Sequence, residues 1–578
     1  MSGALALTAP FFAVEIEAFQ PAGGSITPVL GWGMVPWGML SLSTVSDGAT
    51  TTIRASDVGY RTKATDPGGV QPYPPIVAEA FQITRQLQIN FGDPNQDWSW
   101  GSVSLANDGR FDIDAGSLNC DRRPVSIRRG RKPFSESRGI FTDPAYTDMV
   151  LMFSGIAQPW FLDSTVLRVP MRDASYWLER PYQQSRYAGT GLLEGDASMA
   201  GVAKPRTRGG TATYPVRRVK PVRVASSPIV YQYSDGPGTV VNLYEGAAEV
   251  FTYDGDVTNL FLGAPAPGHY RTDNAHAAFQ LGSEPVNEIT CDVTGAFPIA
   301  GAISVLPTIA RYILTEDMQL PGDLIDLVGF TDAAVSFPYT GGIYFSPDDA
   351  VDGTTAIFRV LSSIAARCVA SRTGQLQFKA LRALSGMETP TYTINLLNCA
   401  SVVPVPMPAV LDPPPYRVRL AYMHNNTVAN GSFDGLALDT EKLYAQLQDK
   451  FVQHTNGAIS ITYARPNDLA PFGGAMLIQS EAQTVIDEVG TLLCARGRIY
   501  EARIPTDVAI DADLGDIVRI QYPLDDLRYG RLGIVIGESF NSADPFVTLR
   551  VLVSSAVGAT LSGPFIIGIG RIGVDSIA

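Results

Sequence analysis

Histidine is the side chain that most often performs acid–base and metal chemistry at neutral pH, and this chain of 578 residues contains four. They are His269, His276, His424 and His454. A Pro-Gly turn precedes the first, and an alanine-rich stretch surrounds the second. None of the four has the spacing of a metal site or a catalytic triad. The pattern favours solvated or core histidines over metal ligands.

Acidic residues are the next candidates, because a pair of carboxylates can hydrolyse a glycosidic bond. Three pairs are close in sequence: Asp112 with Asp114, Asp511 with Asp513, and Asp525 with Asp526. Each pair lies in a predicted turn, where aspartate is expected for backbone reasons. The sequence contains no G-x-S-x-G, H-E-x-x-H or P-loop motif. Gly568–Gly573 reads GIGRIG, but it lacks the strand-turn-helix context of a dinucleotide loop. We therefore expect no enzyme activity, no catalytic residue, no metal ligand and no cofactor.

The cysteines and the start of the chain indicate where the protein folds. The five cysteines are Cys120, Cys291, Cys368, Cys399 and Cys494, without a C-x-x-C pair. Scattered, reduced core cysteines are favoured, and a cysteine-ligated cluster built from distant segments stays an alternative. Met1–Phe19 lacks a basic start, and no run of 18 apolar residues exists. We expect no secretory signal, no membrane span and folding in a reducing cytoplasm.

The charge balance bears on nucleic-acid binding. The formal net charge is −14, whereas a protein that wraps nucleic acid needs a net basic face. One basic segment stands out, with Arg217, Arg218, Lys220 and Arg223 close together. It could contact an anion or nucleic acid, or it could be a strand whose outer face is basic or one that docks on an acidic neighbour. The second interpretation is favoured because no base-stacking aromatic residues alternate with these charges.

Periodicity predicts a mainly β chain with α+β parts, because apolar and polar residues alternate in many short stretches. The two clearest β modules are Trp98–Ala188 and Tyr500–Val553. We predict a β-rich domain at 1–190 with a long loop at Gly23–Met39, a small β domain at 191–300 and an α+β domain at 301–403. A second β domain with two inserted helices follows at 404–560. Residues 561–578 are predicted to be an interaction arm, since the apolar Gly563–Gly573 would be insoluble unless it added strands to a neighbour.

Four segments have helical periodicity. Two helices are predicted at Ser304–Thr315 and Ala356–Ala370. A third would start at Asp439 as N-cap and carry Leu443, Leu447 and Phe451 on one face. The fourth would begin with a capping box of Ser480 and Gln483. Its predicted apolar stripe consists of Ala482, Val485, Val489, Leu492 and Leu493.

An ordered set of motifs resembles a known family. The set comprises LANDGRFD at 105–112, FSGIAQPWFLDSTVLRVPMRDASYWLERPYQQSRYAGTG at 153–191, KPRTRGG before PVRRVKPV, APAPGHY, and LGDIVRIQYP, GRLGIVIGE and VTLRVLV near the C-terminus. In this order, over about Gly59–Val553, the sequence resembles the tail hub (baseplate hub or tail assembly) proteins of long-tailed bacteriophages and prophages. No single one of these motifs is catalytic.

The resemblance implies a fold and a function. It implies two tail-tube-like β-barrels flanking smaller β and α+β domains, the second barrel built from Tyr416–His424 and Tyr500–Val553. Three chains would then match a sixfold tube ring. It further implies a structural virion protein at the tail tip or baseplate, assembled in the host cytoplasm and involved in host attachment and genome ejection. Its implied partners are two further copies, the tail tube or distal tail protein, the tip or central fibre proteins and the tape measure protein, while DNA passes through the lumen without specific binding.

A second function from a different class also fits the β-rich sequence and its Trp- and Tyr-rich loops. It is a polysaccharide-binding adhesin or depolymerase of the tail tip.

Overall fold

The computed structural model describes residues 8–20, 49–93, 98–109, 111–112, 118–295, 303–429, 431, 433–506 and 512–554. Strands make up 42% of the structure and helices 17%, and several sheets curl into half-barrels. The prediction of a mainly β, multidomain fold with α+β parts is confirmed. The predicted loop at Gly23–Met39 and the arm at 561–578 lie outside the described residues. No helix within the described ranges is long and apolar enough to cross a membrane.

The N-terminal sheet has nine strands. Its order is Ala49–Ser56, Thr8–Gln20, Pro124–Ser135, Val150–Ala157, Val166–Arg172, Ser102–Ala106 and Val77–Glu79, with Ile140–Phe141 beside Pro124–Ser135 and Phe161–Leu162 beside Val166–Arg172. The strand Thr8–Gln20, which comes first in the chain, shows why these segments pair. Val14, Ile16 and Ala18 are buried, while Glu15 and Glu17 alternate with them on the more exposed face.

The C-terminal sheet has eight strands. Its order is Tyr392–Asn395, Ile517–Gln521, Arg531–Asn541, Phe546–Ser554, Gly497–Pro505 and Ser401–Val405, with Gln82–Gln86 beside Arg531–Asn541 and Trp98–Ser99 beside Gln82–Gln86. The long strand Arg531–Asn541 pairs with Ile517–Gln521 along its first half and with Gln82–Gln86 along its second half. The sheet therefore contains two strands from the N-terminal part of the chain.

The predicted grouping of Tyr416–His424 with Tyr500–Val553 in one barrel is wrong. Strand Pro415–Tyr422 instead centres a four-stranded sheet with Lys450–Thr455, Asn467–Asp468 and Phe472–Met476. The reason lies in its packing, because this sheet is covered by helix Gln479–Leu493. The sheet that contains the strands of Tyr500–Val553 is completed instead by Tyr392–Asn395, Ser401–Val405, Gln82–Gln86 and Trp98–Ser99.

Two five-stranded sheets occupy the middle of the chain. One contains Val216–Val219, Ile289–Gly295, Arg206–Gly209, Gly342–Phe345 and Gly238–Glu245. The other contains Val222–Ser226, Ile229–Gln232, Ala278–Leu281, His269–Asp273 and Thr252–Asp256. Two-stranded ladders join Ala366–Ala370 to Leu376–Ala380 and Tyr60–Arg61 to Pro72–Tyr73.

The α-helices of the described ranges are Leu306–Tyr312, Leu327–Ser336, Gly353–Leu361, Asp439–Ala445, Gly457–Thr462 and Gln479–Leu493. The first continues as a π-helical turn, Ile313–Asp317, so the helix predicted there is confirmed. The helix predicted at Ala356–Ala370 is too long. A left-handed residue, Ala365 with φ 51°, ends the helical segment, and Ala366–Ala370 pairs as a strand.

The other two predicted helices differ at their ends. The N-cap of Asp439–Ala445 is Leu438, not Asp439, and the helix stops before Leu447 because the chain turns into strand Lys450–Thr455. In the last helix the capping box does not form, since Ile478 is the N-cap and Ser480 lies inside the helix. The predicted apolar stripe is confirmed. Its buried members are Ala482, Val485, Val489, Leu492 and Leu493.

Candidate functional site: the junction of the two large sheets

The two large sheets are joined where the chain passes from one to the other. Val77–Glu79 pairs with Ser102–Ala106 in the N-terminal sheet, and Gln82–Gln86 pairs in the C-terminal sheet immediately afterwards. At the crossing, the Ser542 hydroxyl oxygen accepts hydrogen bonds from the amides of Ala80 and Phe81, at 3.1 and 3.3 Å.

An aromatic contact spans the same crossing. The Phe81 ring lies 4.8 Å from that of Phe540 in the C-terminal sheet and 5.6 Å from that of Phe12 in the N-terminal sheet, measured between centroids. Both contacts have edge-to-face geometry, which is the favourable arrangement for aromatic quadrupoles. Phe81 is fully buried, so it belongs to a core that the two sheets share.

A buried ion cluster lies beside this aromatic contact. Arg85, 1% exposed, donates from Nε to Glu538 Oε2 at 3.1 Å and from Nη2 to Asp513 Oδ1 at 2.5 Å. Its Nη1 donates to the carbonyl oxygen of Ala370 at 2.9 Å. A second cation, Arg372, lies 3.5 Å from Glu538. Two arginines thus balance two carboxylates, which is the condition under which buried charge is tolerated.

The cluster changes the acidity of one of its members. Burial alone would raise the pKa of Asp513, but attraction to Arg85 and Arg372, together with hydrogen bonds, holds that pKa below its usual value. Asp513 belonged to one of the carboxylate pairs with possible glycosidase spacing. In the structure it is an ion-pair partner at the sheet junction.

Two more contacts connect the N-terminal sheet to the C-terminal half of the chain. The amide of Ser154 donates to the carbonyl oxygen of Arg372 at 2.9 Å. Arg129 donates to both the carbonyl and the hydroxyl oxygen of Thr506, the latter at 3.0 Å. Because these contacts are specific and several are buried, the geometry suits a rigid connection between the sheets.

The other sequence candidates are dispersed. Each histidine Nδ1 lies within hydrogen-bond distance of one aspartate. The pairs are His269 with Asp254 at 2.7 Å, His276 with Asp273 at 2.8 Å, His424 with Asp449 at 2.8 Å, and His454 with Asp487 at 2.9 Å. Among the described residues, no group of three or more His, Cys, Asp or Glu side chains lies close enough together to hold a metal ion.

Of the other members of these carboxylate pairs, the structure describes the contacts of Asp112. Asp112 accepts a hydrogen bond from the Asn107 side chain at 2.8 Å. Asp114 and Asp511 lie outside the described residues, and Asp525 and Asp526 begin a short 3₁₀ helix, Asp525–Tyr529.

A cavity of about 510 Å³ lies between the N-terminal sheet and helix Gly353–Leu361. Three carboxylates line it, and each already serves the fold. Asp173 accepts from Trp100 Nε1 at 2.7 Å, and burial raises its pKa. Asp352 caps the helix through the Thr355 amide at 2.8 Å, and Glu179 pairs with Arg172. All three carboxylates of this cavity are therefore engaged in contacts within the protein.

The basic segment is neutralised within the chain. Its ion pairs are Arg217 with Asp292 at 2.8 Å, Arg218 with Glu441 at 2.7 Å, Lys220 with Glu288 at 2.7 Å, and Arg223 with Glu284 at 2.6 Å. The interpretation that this strand docks on acidic neighbours is confirmed. The five cysteines are free and buried, as predicted for scattered core residues.

Sequence reasoning missed Arg85, although a signal was present. Phe81, Ile83, Arg85 and Leu87 alternate, and all four are buried. A lone arginine at an inward position of an apolar strand indicates a buried partner of opposite charge.

No family model and no curated protein matches the chain. Among solved structures, it is similar to a tail protein from Neisseria meningitidis (9% identity; 86% of this chain and 96% of that chain; TM-score 0.33). The 43 kDa tail protein of a Shewanella oneidensis prophage matches at 7% identity (86% and 97% covered; TM-score 0.35). An E. coli component of the type VI secretion system matches at 9% identity (88% and 81% covered; TM-score 0.28).

Proposed function

We propose that this chain is a structural virion protein, the central hub of a phage tail tip or baseplate. The observation that carries the proposal is the junction at Gln82–Gln86, which joins two large curled sheets into one unit. The ordered sequence resemblance over about Gly59–Val553 supports it independently. A hub must transmit force between tube and tip, and buried ladders and ion pairs resist such force better than flexible linkers do.

The two large sheets support a proposed stoichiometry of three chains. If each large sheet takes one position in a ring, three copies of the chain supply six positions. A homotrimer would then join a sixfold tail tube to a threefold tip, with the tube or distal tail protein on one side and the tip or central fibre proteins on the other. The tape measure protein would end against the same ring.

Charge supports the role of a DNA channel wall. A net charge of −14 per chain gives −42 for a trimer, three times 14. Like charge repels DNA, which suits a lumen that DNA passes through during genome ejection without binding. The basic segment does not oppose this, because its four cations are paired within the chain.

Native mass spectrometry of the purified protein, alone and with the tail-tube protein of the same virus, tests the proposal. We expect a trimer of three 62.0 kDa chains that binds a tube ring. Cryo-electron microscopy of the virion would show the chain at the tail tip. A stable monomer without affinity for tube or tip proteins, at concentrations where tube rings form, would overturn the proposal.

A further inference from the structure

The cavity between the N-terminal sheet and helix Gly353–Leu361 has the size of a small-molecule site. Its volume of about 510 Å³ falls within the range of roughly 300–1,000 Å³ that is usual for ligand pockets. Trp100, Leu178 and Ile357 contribute buried apolar side chains to its wall. The cavity is thus large enough for the apolar body of a small ligand, and the polar groups of the wall decide which charged group fits beside that body.

One side chain of the wall is a buried cation, Arg367, which is 2% exposed. Its Nη1 and Nη2 donate to the backbone carbonyl oxygens of Asp93 and Asn90 at 2.7 and 2.6 Å, and its guanidinium lies 4.7 Å from the centroid of the Phe358 ring. Its buried Nε has no hydrogen-bond partner, and no carboxylate of the described residues forms an ion pair with it.

The electrostatics of Arg367 favour an anion beside it. Burial lowers its pKa to about 10, and attraction to Asp93 does not compensate for the lost hydration. A buried charge without a counter-ion is unfavourable in a protein interior. An anion in the cavity would supply the partner that Arg367 does not find among the described residues.

The start of helix Gly353–Leu361 lies at the same cavity and adds a second attraction for an anion. The first amides of a helix have no acceptor inside the helix and carry partial positive charge. The amides of Gly353 and Thr355 have acceptors elsewhere, at 3.3 and 2.8 Å. Thr354 lies between these two residues and lines the cavity, and its amide has no acceptor in the part of the chain that the structure describes.

The carboxylates of the cavity limit the charge of the ligand. Glu179 is neutralised by Arg172. Asp173 and Asp352 accept hydrogen bonds from uncharged groups, so their own charge repels a second negative charge. A monocarboxylate would pair with Arg367 through a single charge, whereas a dianion such as phosphate would meet stronger repulsion.

We propose that this cavity binds a small organic monocarboxylate. The carboxylate of the ligand lies beside Arg367 and the Thr354 amide, and its apolar body lies against Trp100 and Ile357. The inference concerns binding alone and includes no reaction. It does not rest on the proposed hub function.

Isothermal titration calorimetry of the full chain with benzoate tests the proposal, and benzamide serves as the uncharged molecule of similar shape. We expect benzoate to bind at least about tenfold more tightly than benzamide, because hydrogen bonds between charged groups are the stronger ones. Equal affinity for the two molecules, or no binding of either benzoate or hexanoate at millimolar concentrations, would overturn the proposal. Inorganic phosphate that binds more tightly than benzoate would also overturn it.

Variants of two wall residues locate the bound carboxylate. Arg367→Met should lower the affinity for benzoate at least about tenfold, but this change also removes two hydrogen bonds that serve the fold. Gln158 lines the cavity, and its side chain makes no hydrogen bond to the described residues. Gln158→Glu should weaken benzoate binding and Gln158→Lys should strengthen it. Equal affinity in these two Gln158 variants would place benzoate outside the cavity and overturn the proposal.

Asp97 provides a further control. It follows Asp93 by four positions and lies outside the described residues. We expect Asp97→Asn to leave the affinity for benzoate unchanged. Binding that appears only in Asp97→Asn would mean that a carboxylate of the chain itself pairs with Arg367, and the proposal would then be wrong.

Discussion

Replacing Arg85 by methionine tests whether the ion cluster holds the two large sheets together. The wild-type cluster is neutral, with Arg85 and Arg372 against Glu538 and Asp513. Methionine keeps most of the side-chain length but leaves the cluster with one excess negative charge. The Glu538 side chain is 2% exposed, so water cannot replace the lost partner.

The size of the expected stability loss follows from the burial of the ion pair. Removing one partner of a buried ion pair costs about 3–5 kcal/mol of unfolding free energy, because the remaining charge stays desolvated. The double variant Arg85→Met/Glu538→Leu restores neutrality, with Arg372 facing Asp513. We therefore expect the double variant to be more stable than Arg85→Met alone. Well-packed apolar replacements of buried pairs are often close to neutral in stability.

The pH dependence has a definite sign. In the wild type, the depressed pKa of Asp513 gives stability that is present above the unfolded-state pKa of about 3.9 and lost as pH falls through the folded-state pKa. Without Arg85, burial outweighs the remaining attraction and the folded-state pKa of Asp513 rises. The folded variant then binds a proton more readily than the unfolded chain. The difference in unfolding free energy between the wild type and Arg85→Met should therefore become smaller as the pH falls from about 7 to about 4.

Urea denaturation measures the free energy of unfolding of each variant. Hydrogen exchange of peptides that cover Gln82–Gln86 and Arg531–Asn541 then shows whether the loss is located at the junction. Arg503→Met is the matched control in the same sheet. The side chains of Arg503 and Asp544 are 46% and 41% exposed, so losing this pair should cost less than about 1 kcal/mol. A loss below about 1 kcal/mol for Arg85→Met, or a double variant less stable than the single one, would refute the reasoning.

Two further predictions concern the cysteines and nucleic acid. A maleimide should label none of the five cysteines in the folded protein and all five in urea, because all five are buried. Burial also raises the thiol pKa of Cys120 to about 11 and those of Cys368 and Cys494 to about 12. Fast labelling of one cysteine in the folded chain would contradict this prediction. The protein should not bind DNA at low salt by fluorescence anisotropy, because its net charge is −14 and the four cations of the basic segment are paired within the chain. DNA binding by the wild type would contradict the account of the basic segment.

Much of the fold could be predicted from local patterns. Alternation predicts a strand at Phe11–Phe19, and the structure has one at Thr8–Gln20, where Val14, Ile16 and Ala18 are buried and alternate with Glu15 and Glu17. The stripe in Gln479–Leu493 predicts a helix because all of its members share one buried face. In these elements the apolar pattern within a short stretch matches the buried face, so the local sequence is sufficient to predict them.

The wrong helix predictions have a common physical cause. A strand pairs with a segment that can be distant in sequence, and local periodicity does not reveal that partner. Leu443, Leu447 and Phe451 fit a helical period, yet pairing of Lys450–Thr455 with Pro415–Tyr422 takes priority over that local pattern. Ala366–Ala370 fits a helical period too and pairs as a strand. Nothing in a window of about fifteen residues specifies such a partner.

The junction of the two large sheets joins residues that are very distant in sequence. Arg85 and Glu538 are 453 positions apart. Closing a loop of that length costs about 5 kcal/mol of chain entropy by a logarithmic loop law. The five-residue ladder of Gln82–Gln86, the Phe81 contacts and the neutral ion cluster together offset this cost.

The same junction determines what the chain can do in an assembly. If Gln82–Gln86 is absent, residues 537–541 lose their ladder partner and Glu538 loses Arg85. The C-terminal sheet would then expose an unpaired edge and a desolvated charge, so neither half of the chain is expected to fold as a stable separate unit. The angle between the two sheets is consequently set inside each chain before any partner binds. The proposed ring of three chains would thus receive its geometry from intramolecular contacts, as the proposed adaptor role requires.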